Sequence, residues 1–454
     1  MTGARTAGRH GAGGSRVARS GLVRIDAKHR THSVLRTCVL LAFAANAAFA
    51  AAAGIADRPL GANLESLLDY ARDNPELAAM RYEADAANQR IYPAGAFADP
   101  MFRMELQNIT NAGTDAPPSL VPSKVGSTKY TVWQPIPFWG KRDLKRDVAT
   151  ADAEQATARA TLVWTDLAAR IKIVYARRYL VAQNELLTRE ILGLLERLEA
   201  IAQVRYAGGL APQQDVIRAQ VERTAMRGEL LSLESEAQGL RAALNSLLAR
   251  RADAPLAVPE YLRAVPAPAK RQPEALMDRL RGRNPELFAE EARITAAERG
   301  RELTYKNRFP DFAVGVSPIQ MGSRIGEWEV MFEMNLPLQQ ESRRSQEREA
   351  EAMLSAARSR KDAVVNRLTA ELFEQLSGLD AAQRIATLTT DSLLPQAEAT
   401  LQAALAGYET GKVDFATLLD AQRQIRKSKQ DLVKAQVEAQ TRLANIERLL
   451  GDEL

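Results

Sequence analysis

The tetrapeptide Asn-Pro-Glu-Leu fills residues 74–77 and again residues 284–287, and each copy opens a stretch of helical composition. Further landmarks recur in the same order at nearly the same distance. They are Pro137 and Pro337, the segments 205–209 and 407–411, the Ala-Gln pairs 219–220 and 421–422, and the Leu-Leu pairs 247–248 and 449–450. Because separate landmarks keep their order and spacing, the sequence indicates a duplicated unit of about 200 residues.

Each copy of the unit predicts a helix, a β-hairpin, a very long helix and a second long helix that returns along it. The chain is therefore expected to be mainly α-helical with a small β part. The expected boundaries are residues 51–253 for the first repeat (β-hairpin at about 100–138, helical hairpin at 141–250), 254–273 for a Pro- and Ala-rich linker, and 274–454 for the second repeat (β-hairpin at about 311–338, helical hairpin at 341–450).

The helices are predicted to be unusually long. Residues 141–204 contain no proline and one glycine, and they are rich in residues that favour a helix. A helix of this length spans roughly 95 Å. Pro395 interrupts the helical stretch 343–408 and is expected to bend or break it. Apolar residues at heptad spacing indicate coiled-coil packing, and they include Leu418, Ile425, Leu432, Ala439 and Ile446.

The strand candidates alternate apolar and polar residues, for example Trp328, Val330 and Phe332 against the glutamates between and beside them. This period of two over about ten residues suits a transmembrane β-strand, although a sheet packed on helices gives the same alternation. Aromatic residues in or beside the strands favour the membrane, since they are typical of an interfacial girdle. They are Trp133, Phe138, Trp139, Phe309, Phe312, Trp328 and Phe332.

Four strands cannot close a barrel in lipid, where about eight is the minimum and open edges are not tolerated. If these strands lie in a membrane, several copies of the chain must therefore share one barrel. The side chains expected to face the lumen of that barrel are Arg103, Glu105, Glu327, Glu329 and Glu333.

Residues 1–50 have the composition of an export signal leader. Basic residues precede an apolar run at 39–50, which ends in Ala-Phe-Ala. All three histidines and the single cysteine lie within the first 38 residues, so a processed chain would contain neither type. Cys38 precedes the apolar run rather than the cleavage point, which argues against a lipid anchor.

Without histidine or cysteine, Cys/His metal sites and Ser–His or Cys–His catalysis are excluded. We therefore expect no catalytic residues, no cofactor and no metal ligands. The leader carries a net charge of +7 in a chain whose total is +5. The basic pI thus gives no reason to expect nucleic acid as a partner.

Taken together, these features resemble the TolC-type outer-membrane efflux factors over essentially the whole chain after the leader. The resemblance rests on the duplicated unit, both Asn-Pro-Glu-Leu segments, the strand exit Gln-Pro-Ile-Pro-Phe-Trp-Gly-Lys at 134–141, and the turns at 205–209 and 408–411. The Asp-Pro-Met at 99–101 is similar to the heavy-metal-cation branch of this family.

The resemblance implies a homotrimer in the bacterial outer membrane, in which a 12-stranded β-barrel is continued by a periplasmic α-helical barrel. It implies a passive exit duct without enzymatic activity, in contact with outer-membrane lipid. The implied partners are a periplasmic adaptor (membrane fusion) protein and an inner-membrane pump. The cargo stays open between heavy-metal cations and drugs or other small toxic compounds. The alternative is a periplasmic coiled-coil adaptor or scaffold without channel activity.

The resemblance also implies a periplasmic gate. It places an acidic constriction at Asp420, and a second acidic position of the family falls on Thr417 in this chain. It further implies a hydrogen bond from the Tyr408 hydroxyl to the Asp215 carboxylate that ties the closed state.

The tips of the two helical hairpins are expected to dock the adaptor. Their glycines can take the left-handed conformation that reverses the chain, and Leu210, Val413 and Leu418 are expected to be exposed beside them. The full set of candidate tip residues is Arg205, Tyr206, Gly208, Gly209, Leu210, Gly411, Val413 and Leu418.

Overall fold

A computed structural model describes residues 60–110 and 117–454, so the predicted leader lies outside the described residues. The structure is mainly helical with one small sheet, as the sequence predicted. Its elements are α1 (Leu64–Ala71), α2 (Pro75–Gly95), β1 (Met101–Gln107), β2 (Ser127–Ile136), α3 (Lys141–Ala207), α4 (Gln213–Leu247), α5 (Pro273–Arg283), α6 (Pro285–Lys306), β3 (Phe312–Met321), β4 (Arg324–Met334), α7 (Gln340–Leu388), α8 (Leu394–Glu409) and α9 (Phe415–Leu450).

The same order of elements occurs twice, and each half is closed by a buried asparagine. The Asn74 side chain accepts a hydrogen bond from the Glu76 N–H at 2.7 Å and donates to the Leu247 carbonyl at 2.8 Å. Asn284 does the same in the second half, accepting from the Leu287 N–H at 3.0 Å and donating to the Leu449 carbonyl at 2.7 Å. Each asparagine thus caps one helix and fixes the end of the return helix against it.

The long helices bury narrow apolar stripes against their neighbours. Helix α3 has 67 residues and is therefore about 100 Å long. It packs along α4, and α9 packs against both α3 and α7, which joins the two halves of the chain. None of the described helices is both long enough and apolar enough to cross a membrane.

The predicted interruption at Pro395 is confirmed. A π-helical turn at Thr389–Leu393 separates α7 from α8, and Pro395 follows in the first turn of α8. Since proline lacks an N–H and crowds the preceding turn, the wider π turn accommodates it without ending the helix.

The four strands form one antiparallel sheet in the order β1-β2-β3-β4, so β1 and β4 are its edges. Register places Phe102, Val132, Val316 and Val330 on one face, and Arg103, Lys129 and Glu329 on the other. All five predicted lumen residues share this second face. The first face is exposed, with Trp328 at 68% and Val330 at 86%.

One member of the expected aromatic girdle lies on the other face. Trp133 pairs with Met101 and with Gly315, so it shares the face of Arg103. The residue opposite it is a glycine, and a Cβ there would approach the Trp133 Cβ to 2.8 Å. The aromatic residue was therefore correctly placed in a strand, but its assignment to the lipid girdle was wrong.

The asparagine contacts lead to a prediction about stability. Asn284→Ala removes a helix cap and leaves the buried Leu449 carbonyl without its partner. We expect a loss of about 1–3 kcal/mol in the free energy of unfolding, measured by thermal or chemical denaturation in detergent. Asn74→Ala is expected to act similarly, and the exposed Asn307→Ala serves as the control. Equal stability of Asn284→Ala and the control would contradict this role.

Candidate functional site

The turns at the ends of the two helical hairpins lie side by side, and Arg205 connects them. Its guanidinium donates to the carbonyl oxygens of Tyr408 at 2.9 Å and Glu409 at 3.0 Å. It also lies over the Tyr408 ring, 5.0 Å from the centroid. Arg205 was predicted as a docking side chain, but its donors are directed inward to the neighbouring tip.

Both turns use a left-handed glycine. Gly209 has φ of 70° and Gly411 has φ of 74°, a conformation that side chains with a Cβ disfavour. The following N–H groups reach back into the helices, from Leu210 to the Arg205 carbonyl and from Lys412 to the Gly407 carbonyl, both at 2.8 Å. Gly208 has an ordinary φ of −82° and so does not itself require glycine.

The exposure of the apolar tip residues differs from the prediction at two positions, Leu418 and Val413. Leu210 is 71% exposed and Tyr206 is 47% exposed, whereas Leu418 is fully buried. Val413 is partly buried, with its side chain against Gly407. The expectation for Leu418 was wrong because α9 begins at Phe415, which places Leu418 on its inward face in the core of the tip.

Two exposed apolar residues of α4 take the place that Leu418 was expected to fill. Ile217 is 50% exposed and Val221 is 62% exposed. They line a groove of about 600 Å³ between α4 and α9, together with Leu419, Asp420 and Arg423. The sequence signal was present, since Ile217 and Val221 are four residues apart and so share a helix face.

Tyr408 belongs to the core of the tip. It is 2% exposed, and its ring contacts Phe415 at a centroid distance of 5.2 Å. The hydroxyl group is buried without a hydrogen bond of normal geometry to any described residue. The Asp215 carboxylate is close enough to this hydroxyl for a hydrogen bond between them to influence both pKa values. The closed-state hydrogen bond that the resemblance implies therefore stays a prediction.

Asp215 is nevertheless close to Tyr408 and is itself 8% exposed. Burial raises the pKa of Asp215, and the Asp414 carboxylate adds to this effect, whereas Arg218, Arg205 and hydrogen bonding from the Tyr408 hydroxyl oppose it. Burial also raises the pKa of the Tyr408 phenol, with a further contribution from the Asp215 carboxylate. The tip therefore holds an aspartate that is costly to ionise.

Asp420 is exposed and lies beside a stronger ion pair. Its carboxylate is 3.6 Å from Arg423, whose guanidinium makes two hydrogen bonds to the buried Glu222 at 3.2 and 2.7 Å. The bonds from Arg423 hold the pKa of Glu222 below its usual value. The sequence did not reveal this pair, because its members are 201 residues apart.

Thr417 has a local structural role. Its N–H and its hydroxyl both donate to the Asp414 carboxylate, at 2.9 and 2.6 Å. Asp414 is the N-cap of α9, so Thr417 completes the cap that begins the return helix.

The charged face of the sheet carries the predicted lumen residues. Lys129 forms an ion pair with Glu329, and Arg103 lies 3.8 Å from Glu105. Glu327 and Glu333 make no ion pair with any residue that the structure describes, and both are exposed. Among all the residues that the structure describes, no group of three or more His, Cys, Asp or Glu is placed to hold a metal ion.

Residues 276–452 match the family described as outer membrane efflux protein. The cobalt-zinc-cadmium resistance protein CzcC of Cupriavidus metallidurans is 23% identical over 398 residues, which cover 86% of this chain and 90% of that protein.

Two solved structures share the fold at lower identity. VceC from Vibrio cholerae superposes with a TM-score of 0.73 at 19% identity, covering 86% of this chain and 96% of its own. CusC superposes with a TM-score of 0.73 at 16% identity, covering 86% and 92%.

The geometry at Tyr408 predicts which part of this side chain matters. Tyr408→Phe keeps the ring and removes a hydroxyl that has no hydrogen bond of normal geometry, so we expect the free energy of unfolding to fall by less than about 0.5 kcal/mol or to rise. Tyr408→Ala, the matched variant, should cost about 3–5 kcal/mol. Denaturation in detergent measures both. A loss well above 1 kcal/mol in Tyr408→Phe would show that the hydroxyl is bonded after all.

The raised pKa of Asp215 predicts how stability depends on pH. Because the pKa of Asp215 is higher in the folded chain than in the unfolded chain, its protonated form favours folding. This contribution is complete below the ordinary aspartate pKa and is lost as the pH rises through the raised pKa of the folded state. Asp215→Asn should therefore melt higher than the wild type at neutral pH and lose less stability between acidic and neutral pH. Thermal melting across this range is the measurement. The exposed Asp152→Asn is the control, and parallel pH curves for wild type and Asp215→Asn would contradict the assignment.

Proposed function

We propose that this chain, whose residues 276–452 match the outer membrane efflux protein family, is the outer-membrane channel of a tripartite efflux system. It provides a passive exit duct across the bacterial outer membrane, extends into the periplasm, and performs no chemistry of its own. The observation that carries the proposal is the four-stranded sheet with one exposed apolar face, one charged face and two open edges.

The apolar face fits lipid better than water. Trp328, Val330 and Phe332 on β4 are each more than 65% exposed, and contiguous exposed apolar surface of this kind marks a membrane or partner contact. The open backbone groups of β1 and β4 cannot remain unpaired in lipid. Three copies joined edge to edge would satisfy them in a closed 12-stranded barrel.

A difference between the two return helices supports the same ring. Helix α9 packs between α3 and α7, whereas α4 packs chiefly on α3. Ile217 on α4 is 50% exposed, but Leu419, at the equivalent position of α9, is 4% exposed. At this level α8 covers α9, and α4 has no such neighbour among the described residues. In a homotrimer, α8 of the next copy would cover it.

We propose heavy-metal cations as the cargo, with drugs or other small toxic compounds as the second candidate. The cobalt-zinc-cadmium resistance protein among the relatives supports the first. The charged sheet face carries four glutamates against Arg103, Lys129 and Arg324, and this excess of negative charge favours passage of cations. With no metal-binding cluster among the described residues, the cation would pass without being held.

The hairpin tips are the proposed site for the periplasmic adaptor, which connects the channel to an inner-membrane pump. Leu210 and Tyr206 project at one tip, and the groove beside Ile217 and Val221 offers an apolar contact. Asp420 is proposed to form the gate, since threefold symmetry would turn one exposed carboxylate into a ring. A periplasmic adaptor or scaffold without channel activity remains the alternative, and it would leave the exposed apolar sheet face without a partner.

Recordings in planar bilayers test the channel and its charge preference together. The reconstituted wild type should conduct and prefer cations. Replacing Glu327 and Glu333 by glutamine should reduce the cation-to-anion permeability ratio roughly twofold or more, because it removes two unpaired charges per copy from the lumen. The reversal potential in a salt gradient gives this ratio.

Glu349→Gln is the control, because it removes an exposed carboxylate on α7, outside the sheet. An unchanged ratio in the double variant would place these glutamates outside the lumen. The channel itself would be excluded if the wild type did not conduct. It would also be excluded if the protein were recovered as a soluble periplasmic monomer after cross-linking in cells.

A further inference from the structure

All four connections between helices and strands lie at one end of the strands. We call this end and the helical turns beside it the junction, which comprises residues 96–100, 137–145, 306–311 and 335–344. The β3–β4 turn lies at the opposite end of the strands, because the strands are antiparallel. The junction is therefore where the apolar sheet face meets the helical part of the molecule.

The junction holds a continuous group of aromatic rings. Phe138 stacks on Phe309 with 4.5 Å between centroids, and Trp139 contacts both Phe138 at 5.4 Å and Phe312 at 6.1 Å. Trp139 is nevertheless 75% exposed. A large exposed indole at the edge of an apolar face is typical of the boundary between hydrocarbon and headgroups.

A lysine amino group lies directly beside this tryptophan. Lys306 Nζ donates to the Trp139 carbonyl at 3.2 Å and approaches Gly140 where a Cβ would collide with it. Gly140 has φ of 78°, so glycine here permits both the turn and the approach of the lysine. An ammonium group has three protons, and the carbonyl uses one.

Lys141 and Lys145 share one helix face, but only the Lys141 ammonium group has hydrogen-bond partners among the described residues. The Lys141 ammonium donates to Asp311 at 2.8 Å and to the Phe309 carbonyl at 2.9 Å. Lys145 lies one helical turn farther from the sheet and is exposed. It makes no hydrogen bond or ion pair with any residue in the described part of the chain, and it is near enough to Asp311 to lower the pKa of that carboxyl.

Positive charge exceeds negative charge in the junction. Two acids of the junction have partners, since Asp143 is paired with Arg146 and Asp311 with Lys141. Arg308 is paired with Glu347, which lies just outside the junction. Among the described residues, five cations of the junction have no carboxylate within 4 Å, and only Asp99 and Glu341 lack a cation. These five are Arg142, Lys145, Lys306, Arg343 and Arg344.

We propose that Trp139, Lys145 and Lys306 bind the headgroup phosphate of an anionic phospholipid. The exposed indole takes the level of the headgroup, and the two ammonium groups supply the charge that favours an anionic lipid over a zwitterionic one. The lipid, rather than free phosphate, is the ligand because the site adjoins the apolar sheet face that would hold the acyl chains. The inference rests on the proposed function, which puts that face in a membrane.

Quenching of tryptophan fluorescence by brominated lipids tests the site. The wild type in phosphatidylcholine vesicles should be quenched more strongly by brominated phosphatidylglycerol than by the same amount of brominated phosphatidylcholine. Trp139→Phe should remove this difference and leave the signal of the other tryptophans. Lys145→Glu and Lys306→Gln should lower the apparent affinity for phosphatidylglycerol, by about fivefold for each unit of charge changed.

Lys427→Glu is the matched control, since it reverses an exposed charge on α9 far from the junction in sequence. Equal quenching by the two lipids in the wild type, an equal loss in Lys427→Glu, or release by inorganic phosphate without any lipid preference would overturn the site. If the protein conducts in bilayers but shows no lipid preference, the lipid site is contradicted and the proposed function is not. If the protein enters neither kind of vesicle, both proposals are contradicted.

Discussion

The two edge strands impose the main constraint on this molecule. β1 and β4 each leave one row of backbone N–H and C=O groups without a strand partner among the described residues, and such groups are tolerated in water but not in hydrocarbon. The exposed apolar face of the same sheet is unfavourable in water. A single copy of the sheet therefore suits neither water nor lipid. In the proposed barrel, neighbouring copies would pair the edge groups, and lipid would cover the apolar face.

The helical part meets a related constraint with different means. A helix of 67 residues with a narrow apolar stripe gains little by itself, so it must be accompanied along its whole length. Asn74 and Asn284 fix where the accompanying helices end, and Arg205 fixes the two tips against each other. Between these points small residues, many of them alanine, allow the helices to approach closely.

Much of this architecture could be predicted from the spacing of apolar residues and from the positions of proline and glycine. The heptad spacing of Leu418 and Ile425 indicates a buried seam, and both residues are buried. The mistaken expectation that Leu418 is exposed came from its closeness in sequence to the Gly411 turn. The heptad spacing was the better predictor of its burial. Contacts such as Arg423 with Glu222 could not be predicted, because they join residues from separate repeats that the sequence does not pair. Trp133 shows a similar limit, since only the strand register decides its face.

The unequal surroundings of Ile217 and Leu419 have a genetic consequence. In a ring, a defective Leu419 disturbs the copy that carries it, because its packing lies within one chain. In the proposed ring, a defective Ile217 would disturb the boundary with a neighbour, because its side chain is exposed on its own copy. When a normal and an altered gene are expressed together, the first kind of allele would behave as recessive. The second kind would be dominant, since each altered copy spoils assemblies that also contain normal ones.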